Sequence, residues 1–364
     1  MRLLFFSTPV APIGSGDGGG VETTLLQLAP ALRMRGHETA VIAPEGSRMP
    51  EGVPLHVAGG DPPPSAVVLA RDISVAAQPT GVLERMWDLA RQLAPRFDAI
   101  VSLSYDWLSY YLTPFLPVPV LHLVTLPSCI DTVDCAMRGQ YLRRPARFAF
   151  VSRTQAASFG FVDLKRVRMI PGAVDTDQFH FRASAEPMLC WAARISPEKG
   201  LEDAIRVAQA AGLPLHICGK IQDETYWREI RRAVAAEALV YHGFLRHADL
   251  REVVGRSAAM LVTPKWVEAF GLNVIEALAC GTPVIAYERG GPAEIVEHGR
   301  SGFLTPAGDI GAMAQAVKQI GSLRRADARQ RAEQFGVACL AERVEAWVKE
   351  VCVRAEVCGK AAAC

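Results

Sequence analysis

Two cations lie close together where a ligand loop belongs. Arg194 and Lys199 frame the segment Arg194-Ile195-Ser196-Pro197-Glu198-Lys199-Gly200, between a strand-like and a helix-like run. Strand-to-helix loops are where open α/β sheets bind ligands. An arginine fork beside a lysine point charge suits a diphosphate there, although two isolated surface cations would simply be solvated. Further on, Glu268 and Glu276 stand eight positions apart around Ala269-Phe270-Gly271-Leu272-Asn273. Glu268 falls in a loop and Glu276 two turns along a helix, so the spacing does not make a local acid/base pair. Instead, Gly271 opens a helix whose free N–H groups can meet an anion, and each carboxylate can accept hydroxyl hydrogen bonds from a sugar or ribose. Glu276 taken alone fits a solvated helix face equally well. A third candidate is Gly14-Ser15-Gly16-Asp17-Gly18-Gly19-Gly20, which follows a strand and opens a helix. Its amides could approach a phosphate. It lacks the dinucleotide GxGxxG spacing and a Walker lysine, so a flexible turn explains it as well as a ligand loop does.

The elements that must position these residues alternate. Leu3 to Ser7 reads as a strand, and Val21, Leu25, Leu28 and Leu32 recur at helical spacing up to Gly36, with Pro30 expected to kink that helix. Thr39–Ala43, Ile100–Leu103, Val118–Val124 and Phe148–Ser152 read as further strands, with a helix at Val82–Leu93. Pro171 to Pro187 lacks periodicity and reads as a crossing between domains. A second series follows: strands at Met188–Ala192, Pro214–Cys218, Val240–Tyr241, Met260–Thr263 and Val284–Ala286, and helices at Leu201–Ala211, Trp227–Ala236, Asp249–Arg256 and Leu272–Ala279. A terminal helix spans Ala338–Arg354. The β–α–β order predicts parallel sheets with helical crossovers, and two doubly wound units fit better than one large sheet. The expected domains are 1–172 and 173–337, with 338–364 a helix packing back on the first domain and ending in a frayed tail.

Composition narrows the function classes. Of 364 residues, 50% are hydrophobic and 21% charged, which predicts a packed globular chain. Thirty-nine Lys and Arg against 38 Asp and Glu leave a net charge of +1, so no global excess points to nucleic acid. The most apolar stretch, Phe115 to Leu126, is too short to span a bilayer and is broken by Pro117 and Pro119. The opening MRLLFFSTP makes a poor secretory signal and a good first buried strand. Nine cysteines, without a CxxC and mostly in apolar segments (Cys190, Cys218, Cys280), predict reduced core thiols in a cytoplasmic protein.

With these residues in view, the chain resembles the retaining GT-B glycosyltransferases of family 4. The E-x7-E pair Glu268/Glu276, Phe270-Gly271 and Ala277-Leu278-Ala279-Cys280-Gly281-Thr282-Pro283-Val284 carry the resemblance. Further matches run nearly the full length: Gly18-Gly19-Gly20-Val21-Glu22, Arg35-Gly36-His37-Glu38, Ile170-Pro171-Gly172-Ala173-Val174-Asp175 with Phe179, Arg194 with Ser196-Pro197-Glu198-Lys199-Gly200, Gly290-Gly291-Pro292-Ala293-Glu294, and Gly299 to Leu304. The resemblance implies an α/β, GT-B fold: two Rossmann-like doubly wound parallel-sheet domains facing a cleft, with a nucleotide sugar held mainly by the second. It implies no metal and no cofactor beyond that co-substrate. Arg194 and Lys199 would bind the diphosphate, Glu268 the donor sugar and Glu276 the ribose. The backbone near Phe244 and Leu245 would hold the base, amides of Phe270, Gly271 and Leu272 would face sugar and phosphate, and Gly19 and Gly20 would border the donor. Two departures are mild: Ala193 and Gly172 replace the family's glycine and asparagine. A third is larger. Thr125 stands where many members carry a histidine beside the donor sugar, and His122, three residues earlier, points to the opposite face of its strand.

The acceptor is where the residues divide. Phe5, Tyr105, Trp107, Tyr110 and Tyr111, with Asp106 and Thr125, could line a slot for a flat acceptor, or could pack the domain. The opening segment and the WLSYYL and PVLHLVT runs are similar to the family's cyanobacterial UDP-glucose:tetrahydrobiopterin glucosyltransferases, implying UDP-glucose as donor and a pterin as acceptor. A lipid or glycan acceptor is the alternative. Arg138, Arg143, Arg144 and Arg147, interleaved with Tyr141 and Phe148, would then meet anionic headgroups peripherally, or form a solvated basic face. An inactive nucleotide-sugar-binding subunit is a reading from another class.

Overall fold

The computed structural model describes residues 1–16, 19–74, 80–233 and 239–362, with side chains to residue 353. It divides into two compact units, residues 1–172 with 337–364, and residues 173–336. In the first unit, six parallel strands, β1 (Arg2–Phe6), β2 (Glu38–Pro44), β3 (Leu55–Ala58), β4 (Ala99–Ser102), β5 (Val120–Val124) and β6 (Phe148–Phe150), form one sheet in the order β3-β2-β1-β4-β5-β6. Its crossover helices are α1 (Gly19–Met34), α2 (Val82–Leu93), α3 (Trp107–Leu112) and α4 (Asp131–Arg143), and α5 (Arg153–Ala157) follows β6. Leu3, Leu4, Phe5 and Phe6 are all fully buried. A central parallel strand is covered on both faces, so it reads as an unbroken apolar run and not as an alternation. On one face Leu4, Phe6, Ile42 and Ile100 pack against Met86, Trp87 and Ala90 of α2, and Phe6 stacks on Trp87 with centroids 4.1 Å apart. Burying each such large side chain contributes about 1.5–3 kcal/mol.

Two local expectations change. Strand β3 has no counterpart in the sequence reading because it is a short edge strand in which only Ala58 is buried. β5 begins at Val120, since Pro119 has no N–H for the ladder; its carbonyl accepts from the Ile100 amide at 2.9 Å. Helix α1 spans Gly19 to Met34 with Pro30 inside it.

The second unit repeats the plan. Strands β7 (Glu186–Ala192), β8 (Leu215–Cys218), β9 (Leu239–Tyr241), β10 (Ser257–Val262), β11 (Val284–Tyr287) and β12 (Gly302–Thr305) lie in the order β12-β11-β10-β7-β8-β9. Helices α6 (Leu201–Ala211), α7 (Glu224–Ala233), α8 (His247–Arg256), α9 (Leu272–Ala279), α10 (Pro292–Ile295), α11 (Ile310–Gln319) and α12 (Arg325–Glu333) connect and cover them. In both units the first and fourth strands are central neighbours, and the chain winds outward from them in both directions. Such a sheet opens a crevice at the carboxyl ends of those two strands. In the second unit the crevice falls between the loops after β7 and β10, the loops that carry Arg194, Lys199 and Glu268. The expected extension of α7 to Ala236 lies partly outside the described residues.

Helix α13 (Val337–Ala362) returns the chain to the first unit. Leu340, Ala341, Val344, Trp347 and Val348 are buried there. The Trp347 indole donates to the Ala146 carbonyl at 2.8 Å, and Arg35 pairs with Glu345 at 2.6 Å. The helix continues past the expected end at Arg354; the side chains of its last turns, including Cys358, and residues 363–364 lie outside the described residues. Cys190, Cys218 and Cys280 are buried, and no disulfide joins the described cysteines. Among the described residues no helix is long and apolar enough to cross a membrane.

His122 is a core residue. It is 1% exposed, stacks on Phe148 with centroids 4.9 Å apart, and shares a hydrogen bond with Thr113 Oγ1 at 2.8 Å. Burial, and secondarily the Arg147 charge, push its pKa down to about 3. As pH falls below the unfolded histidine value of ~6.5, the unfolded chain binds a proton that the folded chain refuses. Stability is therefore complete above ~6.5 and declines toward pH 3, by up to ~1.4 kcal/mol per pH unit from this one group. Urea melts of wild type and His122→Gln between pH 7 and pH 4 should differ by that slope; parallel curves would contradict the buried, neutral imidazole.

Candidate active site

The site grows from two loop anchors. Gly200, at φ +64°, lets the chain after β7 turn directly into α6, and a Cβ there would stand 2.1 Å from the Thr263 carbonyl. Thr263, fully buried after β10, donates from Oγ1 to the Gly200 carbonyl at 2.8 Å and accepts from the Trp191 indole at 3.3 Å. The Lys265 amide donates to the Glu198 carbonyl at 2.8 Å. The next stretch is held by Asp203, whose Oδ2 meets Lys265 Nζ at 2.5 Å and the Tyr287 hydroxyl at 2.7 Å. These contacts bring Arg194, Lys199 and Glu268 onto one sheet edge.

Lys199 Nζ donates to Glu268 Oε2 at 2.5 Å and lies 4.9 Å from the centroid of the Trp266 ring. The Trp266 indole N–H donates to the same Oε2 at 3.2 Å. Arg194 reaches the Gln222 side-chain carbonyl and stands 3.6 Å from Glu198 Oε1. Its side chain is 38% exposed, against 15% for Lys199, so the lysine is the less solvated cation.

Helix α9 starts at Gly271, where φ is +98°. The first amides of a helix have no i−4 partner within it; no side chain caps α9, and its Val274 amide turns back to the Gly271 carbonyl at 3.0 Å. The Asn273 side chain pins this turn to the end of β7, donating to the Ala192 carbonyl at 2.9 Å. Behind it, Gly290 and Gly291 press against the segment Glu268–Phe270: a Cβ on Gly291 would lie 2.2 Å from the Phe270 carbonyl oxygen, and the Gly291 amide donates to the Glu268 carbonyl at 2.8 Å. Two turns along α9, Glu276 lines a pocket with Phe179, His247, Leu250, Arg251 and Asn273. Burial raises its pKa, and the charges of His247 and Arg251 offset that rise in part. A carboxylate in this setting gains by accepting hydroxyl hydrogen bonds. Leu245 sits part-buried in the turn after β9, beside an exposed Phe244.

The remaining candidates belong to the first unit. Gly19 and Gly20 form the exposed start of α1, Gly19 at φ +59°. In the glycine loop before it, the amides of Gly14 and Gly16 donate to Glu22 Oε1 at 2.7 and 3.1 Å, so a carboxylate of the chain already fills the anion's place there; Asp17 and Gly18 lie outside the described residues. Tyr105 donates from its hydroxyl to Asp134 at 2.6 Å and accepts from the Cys129 and Ile130 amides. Asp106 caps α3, accepting from the Ser109 amide at 2.7 Å and the Ser109 hydroxyl at 2.6 Å. Thr125 follows β5, part-buried, and the carbonyls of its neighbours Val124 and Leu126 are held by the Gln155 side chain. Phe5 and Tyr110 are core residues, whereas Tyr111 is exposed. Among the described residues no three His, Cys, Asp or Glu side chains are grouped to hold a metal ion.

Sequence reasoning missed Thr263, Trp266, His247 and Arg251. Trp266, two positions before Glu268, offered a signal; a buried threonine at a strand end offered none.

Comparisons with known proteins bear on the family and the fold. The family model described as "Glycosyltransferase Family 4" matches residues 18–178, and that described as "Glycosyl transferases group 1" matches residues 175–336. Together they cover most of the chain, which belongs to the family 4 glycosyltransferases of GT-B type. The 2-deoxystreptamine N-acetyl-D-glucosaminyltransferase of Streptomyces fradiae is 31% identical over 37% of this chain, and the match spans only 34% of that relative's length. The D-inositol 3-phosphate glycosyltransferase of Mycolicibacterium smegmatis is 27% identical over 91% of this chain and 86% of its own. Anabaena Alr3699/HepE, solved with UDP, shares the fold at a TM-score of 0.76 and 18% identity, covering 96% of this chain and 100% of that one.

Gly291 gives a test of the α9 amides. Its φ of −57° suits any residue, so alanine adds only the clash with Phe270. Displacing a positioned group by ~1 Å costs up to 10²-fold. Gly291→Ala should weaken nucleoside diphosphate binding, measured by calorimetry, by about tenfold or more with the circular dichroism spectrum unchanged. Unaltered binding would place the ligand elsewhere.

Proposed function

We propose that the chain is a retaining glucosyltransferase that uses UDP-glucose and a pterin acceptor such as tetrahydrobiopterin, without a metal ion. The observation that carries the transferase reading is the convergence of Arg194, Lys199, Glu268 and the α9 amides at the carboxyl ends of β7 and β10. Anabaena HepE, of the same fold, has been solved with UDP-glucose, which supports that donor. The pterin rests on the similarity of the opening and WLSYYL segments.

In this reading Arg194 and Lys199 take the diphosphate and stabilise the negative charge that grows on it as the glycosidic bond breaks; such preorganised charge is usually the largest catalytic contribution. The cations do the work a metal would do. Glu276 accepts the ribose hydroxyls and Glu268 those of the sugar. Glu268 is already engaged by Lys199 and Trp266 through one oxygen, which suits a sugar-orienting group better than a nucleophile. Double displacement requires a carboxylate free to attack the anomeric carbon. The acceptor hydroxyl therefore attacks from the face the diphosphate leaves. Its oxygen bonds to the anomeric carbon as the bond from that carbon to the phosphate oxygen breaks, and the departing phosphate takes its proton. No histidine base is required, and His122, buried in its core, supplies none.

UDP-glucose with a panel of pterin, lipid and glycan acceptors tests the whole reading. Anomeric NMR should show retention of the donor's configuration, and EDTA should leave the rate within about twofold, since no step draws on a metal. Lys199→Ala and Arg194→Ala should each lower kcat/KM, a charged contact in a partly buried site being worth about 2–5 kcal/mol. An inverted product, strict dependence on manganese or magnesium, or near-wild-type turnover of both variants would overturn the mechanism. Turnover with a lipid or glycan and none with pterins would reassign the acceptor.

A further inference from the structure

We infer that Trp266 is the positioning residue that sets the donor-facing orientation of both Lys199 and Glu268. The inference rests on the transferase reading above. Its basis is a three-member arrangement centred on one atom. Glu268 Oε2 accepts from Lys199 Nζ at 2.5 Å and from the Trp266 indole N–H at 3.2 Å, while Lys199 Nζ sits 4.9 Å from the centre of the same indole. Oε1 carries no hydrogen bond to the protein among the described residues. One carboxylate oxygen is thus tied twice, and the other is left for a sugar hydroxyl.

The two parts of the indole act on different partners. The N–H fixes the rotation of the Glu268 carboxylate; without it a single lysine contact leaves the plane free to turn. The ring face attracts the ammonium electrostatically and limits the paths of a flexible four-carbon stem. Trp266 itself is held because it follows Lys265, whose ammonium is anchored on Asp203 and whose carbonyl accepts from Arg289 at 2.7 Å. Trp266 is only partly buried, so replacing it does not hollow a core.

Two substitutions separate the functions. Trp266→Phe keeps a ring face and removes the N–H. Trp266→Ala removes both. Binding of free UDP reports the lysine, and KM for UDP-glucose with kcat for the transfer reports the glutamate. Trp266→Phe should bind UDP within about twofold of wild type and lose about tenfold in kcat/KM for UDP-glucose, the size of one charge-assisted hydrogen bond. Trp266→Ala should lose that and also weaken UDP by about fivefold, in line with a cation–π contact. Thermal melts of both should match wild type within a few degrees, because the side chain is not part of a core. If Trp266→Phe matches wild type in kcat/KM, or loses UDP and UDP-glucose equally, the positioning role is wrong. If the wild-type protein neither binds UDP nor turns over any nucleotide sugar, the transferase reading fails first, and that outcome is read before either variant.

Discussion

The site depends on a single buried hydroxyl. Thr263 closes β10 and ties the Gly200 carbonyl to that strand, with the Trp191 indole as its second partner. Two loops from neighbouring central strands are thereby fixed to each other at the point where the sheet's winding reverses. An unpaired polar group at that depth would cost several kcal/mol, so the hydroxyl must find these partners, and the loops must lie where they do. Lys199 is one residue from this bond, and the Lys265 amide, which follows it on the other loop, is held by the Glu198 carbonyl. The positions of Lys199 and Glu268 follow from backbone packing before any charge interaction is counted.

Glycines complete what the threonine begins. Gly290 and Gly291 have no side chain because the backbone of Glu268 to Phe270 occupies that space. The requirement is spatial at Gly291, where φ is ordinary, and also conformational at Gly290, where φ is +70°. Close backbone contact of this kind makes the loop rigid without many side-chain bonds. It also aligns the first turn of α9, whose unpartnered amides would otherwise need a cap. A rigid ring of donors loses little freedom when an anion arrives, which is how preorganisation contributes to binding and catalysis.

Much of this was legible in the sequence, for reasons that differ by element. The central strands β1, β4, β7 and β10 read clearly because each carries a run of at least three consecutive apolar residues buried on both faces. The edge strands β3 and β12 did not, because four residues, one of them polar, are too few to show a period. Arg194, Lys199, Glu268 and Glu276 were visible by type and spacing. What held them was not: Thr263 and Asn273 act through single hydrogen bonds to backbone carbonyls distant in sequence, and no local pattern marks such a contact. The glycine loop at the chain's start left two readings open in the sequence, a flexible turn and a ligand loop. Its amides suit an anion, as the composition implied, and the structure fills that place with Glu22.

The two cations, equals in the sequence, differ in the structure. Lys199 is mostly shielded, whereas Arg194 is more than a third exposed and leans on Glu198 and Gln222. Water and salt screen an exposed charge far more than a shielded one. In the proposed reading the lysine would therefore supply the stronger field at a bound anion, and the arginine would add geometry through its planar fork. Lys199 is ion-paired with Glu268. A diphosphate entering beside the pair would draw the ammonium toward it and loosen the bond to Oε2, unless a second donor kept the carboxylate in place. The Trp266 N–H is placed to be that donor.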